Sequence, residues 1–207
     1  MTEAEQPTRR ARQAEATRAE IVSAAGRLMV HNGYVATSIS DIAAEAGVAV
    51  QTIYNSVGAK AELLAAILAR VAAQSDAPDL VSASMREKIE GARNASEIIR
   101  ILAAWCSAVN ERTAGVLRVV TEAAVIDPDV AEFARRQDVT RLRGYGEVAA
   151  ALRVRRGLRA GLSDHESAAA IWAIGHPQVY RTLVLDVGWS VTAYREWLEK
   201  TLHGALL

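Results

Sequence analysis

The chain has 207 residues, 51% of them apolar and 23% charged, with 24 basic and 24 acidic side chains. That is enough apolar material for one or two cores, and the zero net charge excludes a uniformly basic coat, so a nucleic-acid footprint has to be local. A lone cysteine, Cys106, excludes an internal disulfide framework; the polar stretch from Thr2 to Glu20 and the lack of an apolar run of about 18 residues exclude a secretory signal and a membrane span, so a cytoplasmic location is expected.

Long helical periodicities, few alternating β-branched runs and only four prolines predict an all-α fold. Residues 1–16 are expected to be a flexible basic arm, with Arg9, Arg10 and Arg12 followed by Arg18 against Glu15 and Glu20. The arm reads equally as a DNA-binding patch or a solvated tail. A first helix is predicted from Thr17 to Asn32, with Ile21, Ala24, Ala25, Leu28 and Met29 inward and Gly33 as its stop. Ser38 with Asp41 three residues later forms a capping box. Ile39, Ile42, Ala43 and Ala46 then line one face of a short helix, and Gly47 suits a left-handed reversal. A second short helix, Val50 to Ser56, has Ile53 and Val57 as inward anchors. Its other side chains, Val50, Gln51, Thr52, Tyr54 and Asn55, suit a helix that enters a major groove. Amides pair with adenine edges and hydroxyls with phosphates. A solvated helix face is the bland alternative, and the preceding helix and glycine turn favour the DNA reading.

From Thr17 to Leu64 the sequence resembles the DNA-binding domain of the TetR family of bacterial transcriptional regulators. The resemblance is carried by Gly33-Tyr34, Thr37, Asp41-Ile42-Ala43, Ala46-Gly47-Val48, Thr52-Ile53-Tyr54, Lys60 and Leu63-Leu64. The family often has Ser where Ala49 stands, His-Phe where Ser56-Val57 stand, and a Ser cap where Ala59 stands. The resemblance implies a helix-turn-helix that binds a double-stranded DNA operator through Thr37, Ser38, Val50, Gln51, Thr52, Tyr54, Asn55 and Lys60. Gln51, Asn55 and Val50 are expected to read bases, while Thr37, Thr52, Tyr54 and Lys60 hold the backbone. Lys60 opens a fourth helix, Lys60 to Ala73, where a phosphate would offset an unfavourable cation at a helix start.

Residues 17–73 are therefore expected as the DNA-binding domain with its connecting helix, and 74–207 as a helical effector-binding and dimerisation domain. The break falls at Ser75-Asp76-Ala77-Pro78-Asp79. Beyond it, helices are predicted at Val81 to Glu90, from an Asn94/Glu97 capping box to Asn110, at Thr113 to Ile126, and from the Asp127-Pro128 start to Arg156, interrupted by Gly144 and Gly146. Arg153, Arg155, Arg156 and Arg159 are read as complementing a helix C-terminus and pairing with nearby acids rather than binding nucleic acid. A Ser163/Glu166 box opens a helix to Asp186, bent at Pro177 and closed by Gly188, and a last helix spans Thr192 to Leu202. The tail more loosely resembles the C-terminal regions of TetR-like regulators. That implies a homodimer in which the helices from Pro128 and Ser163 pair across a two-fold axis, with Ala169, Ile171, Trp172, Val179, Leu183 and Val187 as a candidate stripe.

None of His31, His165, His176 and His203 has the spacing of a metal site, and there is no phosphate loop or nucleophile elbow, so no cofactor and no enzymatic activity are expected. Cys106 is read as a small core residue, with a thiol sensor as the alternative. Trp105, Glu122, Tyr145, Trp172 and His176 are candidates for a pocket that takes a small apolar or aromatic effector. The function expected is a ligand-responsive repressor released from a pseudo-palindromic operator; the alternative is a helical ligand-binding or protein-interaction module without DNA binding.

Overall fold

The computed structural model describes residues 8–73 and 83–207, and these are helical with no strand among them. Helix α1 runs Arg9–Asn32 and so starts well before Thr17. Thr8 caps it, its hydroxyl accepting from Ala11 N at 3.2 Å, and the Ala, Gln, Glu and Arg that follow are strong helix formers. The expectation of a flexible arm is thereby corrected for residues 9–16; residues 1–7 lie outside those described. Helix α2 (Ile39–Ala46) opens with the reciprocal capping box. Ser38 Oγ accepts from Asp41 N at 3.0 Å, and Asp41 Oδ2 accepts from Ser38 N at 2.9 Å. The Ser38 hydroxyl, which donates to Asp41 Oδ2, and then the Ser38 N–H hold the Asp41 carboxyl below its ordinary pKa. Gly47 reverses the chain at φ 65°, and α3 (Val50–Ser56) follows without a side-chain cap at Ala49. Helix α4 (Lys60–Ala73) lacks a serine cap at Ala59, but the Glu62 carboxylate accepts from Ala59 N in its place.

Past the undescribed segment, which contains the expected break at 75–79 and the expected helix start at Val81, α5 covers Ala83–Glu90. The next helix corrects the sequence reading. Where two helices ending and starting near Asn110 and Thr113 were expected, α6 is continuous over Ala95–Ala123. Glu111-Arg112 contains no breaker, and the Thr113 hydroxyl donates back to Val109 O at 2.8 Å inside the helix. Asn94 Oδ1 caps α6 from Glu97 N at 2.9 Å, but the Glu97 carboxylate takes Arg93 N, so the box is only half formed. Helix α7 (Pro128–Val154) runs straight through Gly144 and Gly146, which do not interrupt it. The single helix expected from Ser163 to Asp186 is three pieces: α8 (Asp164–Ile174), α9 (Pro177–Tyr180) and a π-helical turn, Arg181–Asp186. Pro177 breaks the helix rather than bending it. It has no N–H to donate, and His176 turns extended and caps α9 by accepting from Gln178 N at 3.1 Å. Helix α10 (Val191–Leu206) is longer at both ends than Thr192 to Leu202.

Two cores organise these helices. In the first, Ile21, Ile42, Ile53 and Leu63 of α1–α4 meet Val119, Val120 and Ala123 of α6 and Val130 of α7. The second packs Ile98, Leu102 and Cys106 of α6 with Tyr145 and Leu152 of α7, Ile171 of α8 and Tyr194 and Leu198 of α10. Helix α6 belongs to both, so the cores do not divide at residue 74. Polar bonds reinforce the seam. Tyr34 donates to Asp127 Oδ2 at 2.6 Å, and Arg118 Nη2 donates to Val30 O at 2.9 Å. Asp127 Oδ1 meanwhile caps α7, accepting from Asp129 N at 3.0 Å. At the far end, Arg153 pairs with Asp164 at 2.6 Å, while Arg155 binds the carbonyls of Ile89, Glu90 and Ala92. Arg159 binds Gly204 O, so three of the four clustered arginines serve structure.

Of the stripe proposed for dimerisation, Ile171 is fully buried in its own core and is removed from it. Val179 and Leu183 are half-buried against the same core, and Val187 is 61% exposed. No helix among the described residues is long and apolar enough to cross a membrane.

Asp127 holds two helices at once, so Asp127→Ala is expected to cost about 2 kcal/mol in urea unfolding, the sum of a lost cap and a lost charge-assisted hydrogen bond, reduced by partial exposure. The Tyr34 hydroxyl, ahead of the α7 N–H groups, lowers the folded-state pKa of Asp127. Its contribution is therefore complete above the unfolded value, near 4, and lost as pH falls through the lowered folded value. Unfolding midpoints of wild type and Asp127→Asn measured from pH 7 down to 3 should converge; a constant gap would contradict the assignment.

Candidate nucleic-acid interface and adjoining cavity

Helix α3 is held by Ile53, which is fully buried. With that anchor fixed, Val50, Gln51, Tyr54 and Asn55 emerge together, Val50 39% and Tyr54 48% exposed, and Thr52 lies half-buried beside them. Gln51 and Asn55, one turn apart, join their amides, Gln51 Nε2 donating to Asn55 Oδ1 at 3.0 Å. That leaves a carbonyl on Gln51 and an amino group on Asn55 facing outward, the acceptor and donor that an adenine edge requires. Arg18, read from sequence as part of the basic N-terminal patch, reaches across from α1 and donates to Ser56 O, which pins the C-terminus of α3. Arg27 of α1 pairs with Glu45 of α2 at 2.8 Å.

The remaining expected DNA contacts are less free. Thr37 is a correction: its side chain is fully buried and its hydroxyl donates to Gly33 O at 2.8 Å, closing the turn between α1 and α2. It cannot reach a phosphate from there. The exposed Ser38 hydroxyl donates to Asp41 Oδ2 at 2.6 Å, so its first task is the cap. Lys60 lies with Nζ 4.3 Å from the centre of the Tyr34 ring. Partial burial there lowers its pKa, and the Asp127 carboxylate works against that shift.

Beneath this unit, α4, α6 and α7 enclose a cavity of about 530 Å³. Apart from Glu62, its α4 wall is small and apolar, with Ala65, Ala66, Ala69 and Ala72 beside Leu68. From α6 come Trp105, Val109, Thr113 and Leu117, and from α7 Phe133, Gln137, Arg141 and Tyr145. Each of these sets is an i, i+4 row on one helix face, and Cys106 and Asn110 line the cavity beside the α6 row. A second cavity of about 280 Å³ shares Leu68, Leu117, Gln137, Arg141 and Pro177 with the first, and His176 lines it. Trp105, Tyr145 and His176 are thus brought to cavity walls, and two candidates are not. Glu122 is exposed and paired with Arg118 at 3.1 Å, and Trp172 lies on neither wall, its ring edge-on to His176 at 4.8 Å. The residues missed are Asn110, Thr113, Gln137 and Arg141. Reading α6 as two helices hid the stripe that runs through Thr113. Asn110 Nδ2 donates to Gly175 O at 3.1 Å and to Tyr194 Oη at 3.2 Å, tying α6 to the break before α9 and to α10.

Burial dominates the titratable groups of the walls. It raises the Tyr145 phenol and, with the Arg141 charge adding to it, lowers the His176 imidazole. Cys106, 3.8 Å from Tyr145 Oη, is pushed up to about 12 by burial, which suits a core residue and not a thiol sensor. Among the described residues no three His, Cys, Asp or Glu side chains converge as metal ligands would. Native protein should accordingly resist a thiol reagent such as dithionitrobenzoate over minutes, then release one equivalent on denaturation; rapid native labelling would show Cys106 to be accessible.

Residues 21–67 match a family model described as bacterial regulatory proteins, tetR family. No curated protein matches the sequence. Among solved structures, the fold is similar to that of a Syntrophomonas wolfei protein assigned to the TetR-family transcriptional regulators, with a TM-score of 0.72 and 21% identity over 93% of this chain and 97% of that one. It is also similar to Salmonella enterica GusR, with a TM-score of 0.71 and 18% identity over 92% and 95%. NalD of Pseudomonas aeruginosa, the secondary repressor of the MexAB-OprM multidrug efflux pump, gives a TM-score of 0.66 and 18% identity over 94% and 98%. At these identities the three likenesses speak for the fold.

Proposed function

We propose that this chain, whose residues 21–67 match the model of bacterial regulatory proteins, tetR family, is a ligand-responsive, sequence-specific transcriptional regulator that acts as a homodimer on a pseudo-palindromic operator. Each α3 enters a major groove, with half-sites about one helical turn apart or somewhat more. Gln51 and Asn55 read base edges and Val50 meets a thymine methyl. Thr52, Tyr54 and Lys60 bind the phosphate backbone, with Ser38 holding the start of α2 beside it. Repression is the direction inferred from the likeness to NalD.

The observation that carries the ligand response is the double role of α4. Leu63, Leu64 and Ile67 pack in the core that holds α3, while Ala65, Ala69 and Ala72 of the same helix line the cavity. A ligand there prefers one position of α4 over another, and only that preference can change the affinity for DNA. A hundredfold loss of operator affinity requires about 2.7 kcal/mol of coupling.

Selection from a random duplex library should return a palindromic consensus whose binding weakens steeply with salt. No enrichment at low salt by folded, dimeric protein would overturn the assignment. On the selected operator, Gln51→Ala should cost about 1–3 kcal/mol of discrimination against substituted sites and little of the non-specific affinity. Tyr54→Phe should weaken every sequence alike, and a changed consensus would remove Tyr54 from the phosphate contacts.

A further inference from the structure

Arg141 is the one charged residue in the buried class among the described residues, 8% exposed near the middle of α7. It stands where the two cavities meet and lines both. Among the described residues its guanidinium has a single hydrogen-bond partner, Asp138, which accepts from Nη1 at 3.3 Å. The Asp138 side chain is itself 50% exposed. Among the described residues, the Nε–Nη2 edge, the fork that binds a carboxylate through two parallel hydrogen bonds, has no protein acceptor. A buried cation with one long, half-solvated partner carries a desolvation cost that an anion placed against it offsets.

Other groups point the same way. Trp105 Nε1 lines the larger cavity and is buried with no hydrogen-bond partner, a second donor without an acceptor. The acids on the two walls are Glu62, already bonded to Ala59 N, and Asp138, against Arg18, Arg118, Arg141 and Arg181. Beyond Arg141, Val109, Leu117, Phe133 and the alanines of α4 give the larger cavity apolar walls, with Arg18, Glu62, Asn110, Thr113 and Gln137 among its polar lining.

We infer that the effector is an amphipathic carboxylic acid whose carboxylate is held by the Nε–Nη2 edge of Arg141 and whose apolar body fills the cavity between α4, α6 and α7. This rests on the effector-binding reading above and names its chemistry. The carboxylate stays ionised on binding, and Asp138 competes with it for the same cation.

The test uses the full chain and two matched probe pairs, 1-naphthylacetate with 1-naphthylacetamide and decanoate with decanamide. Binding is followed by tryptophan fluorescence, and release of the selected operator by anisotropy. Each acid should bind at least about tenfold more tightly than its amide. Arg141→Gln should abolish that preference while leaving amide binding in place. Asp138→Asn, a change at a half-exposed side chain that leaves the fold intact even if Arg141→Gln does not fold, should tighten the acids severalfold and leave the amides unchanged. Equal affinity of acid and amide, failure of both acids to bind, or an Asp138→Asn variant with unaltered acid affinity would overturn the inference. Acid-selective binding with no change in operator affinity would keep the carboxylate site and overturn ligand control of DNA binding. Operator release by amides as well as by acids would do the reverse.

Discussion

The molecule depends on the seam where Tyr34 meets Asp127. One carboxylate accepts the Tyr34 hydroxyl at 2.6 Å with one oxygen and the first N–H groups of α7 with the other. The turn after α1 and the start of α7 are thereby fixed to the same residue. Lys60, the first residue of α4, sits over the Tyr34 ring within the field of the same carboxylate. Three helix ends therefore share one small polar site, and below it Val116, Val119, Val120 and Ala123 of α6 complete the core of α1 to α4. A three-helix unit with an eight-residue α2 and a seven-residue α3 has little apolar area of its own. Its rigidity is borrowed from α6, which makes the two parts of the chain mechanically continuous.

How much of this could be read from the residues depended on whether the deciding chemistry was local. The Ser38/Asp41 and Ser163/Glu166 boxes, the Gly47 reversal and the Asp127-Pro128 start are settled within four residues, and the structure has them where the spacing predicts. The failures needed information from elsewhere in the chain. Nothing near Glu111 says whether a helix ends, because a polar pair in a long apolar stretch is tolerated once Asn110 finds partners on Gly175 and Tyr194. Pro177 could bend a helix or end it, and the choice fell to His176, whose ring supplies a cap. Thr37 is identical in type to a phosphate-binding hydroxyl, yet the Gly33 carbonyl claims it.

The candidate site divides in the same way. The exposed face of α3 follows from period alone once Ile53 is the anchor. The cavity does not, since its lining is drawn from three helices and its most informative member, Arg141, reads in sequence as one more arginine in a charged helix. The stripe Phe133, Gln137, Arg141, Tyr145 is legible only when Trp105, Val109, Thr113 and Leu117 are known to face it.

That arrangement also decides which element can carry a signal. Helix α6 is anchored in both cores and cannot shift without disrupting each. Helix α7 is fixed at its start by Asp127 and at its end by Arg153 and Arg155. Helix α4 is different: it presents mostly alanine to the cavity, while Leu63, Leu64, Ile67 and Leu68 seat it in the core that also holds Ile53 of α3 and Val116, Val119 and Val120 of α6. Its N-terminus is tied to the seam by Lys60, and Arg70 near its other end donates to Ala19 O of α1. A displacement of α4 works against a cation–π contact and a hydrogen bond, each on the order of 1 kcal/mol, as well as against the core packing of Leu63, Leu64, Ile67 and Leu68. On the proposed ligand response, the coupling needed to release an operator is about 2.7 kcal/mol for a hundredfold change. The alanine face that α4 turns to the cavity, and the polar ties at its two ends, are therefore the features on which the proposed ligand response would act.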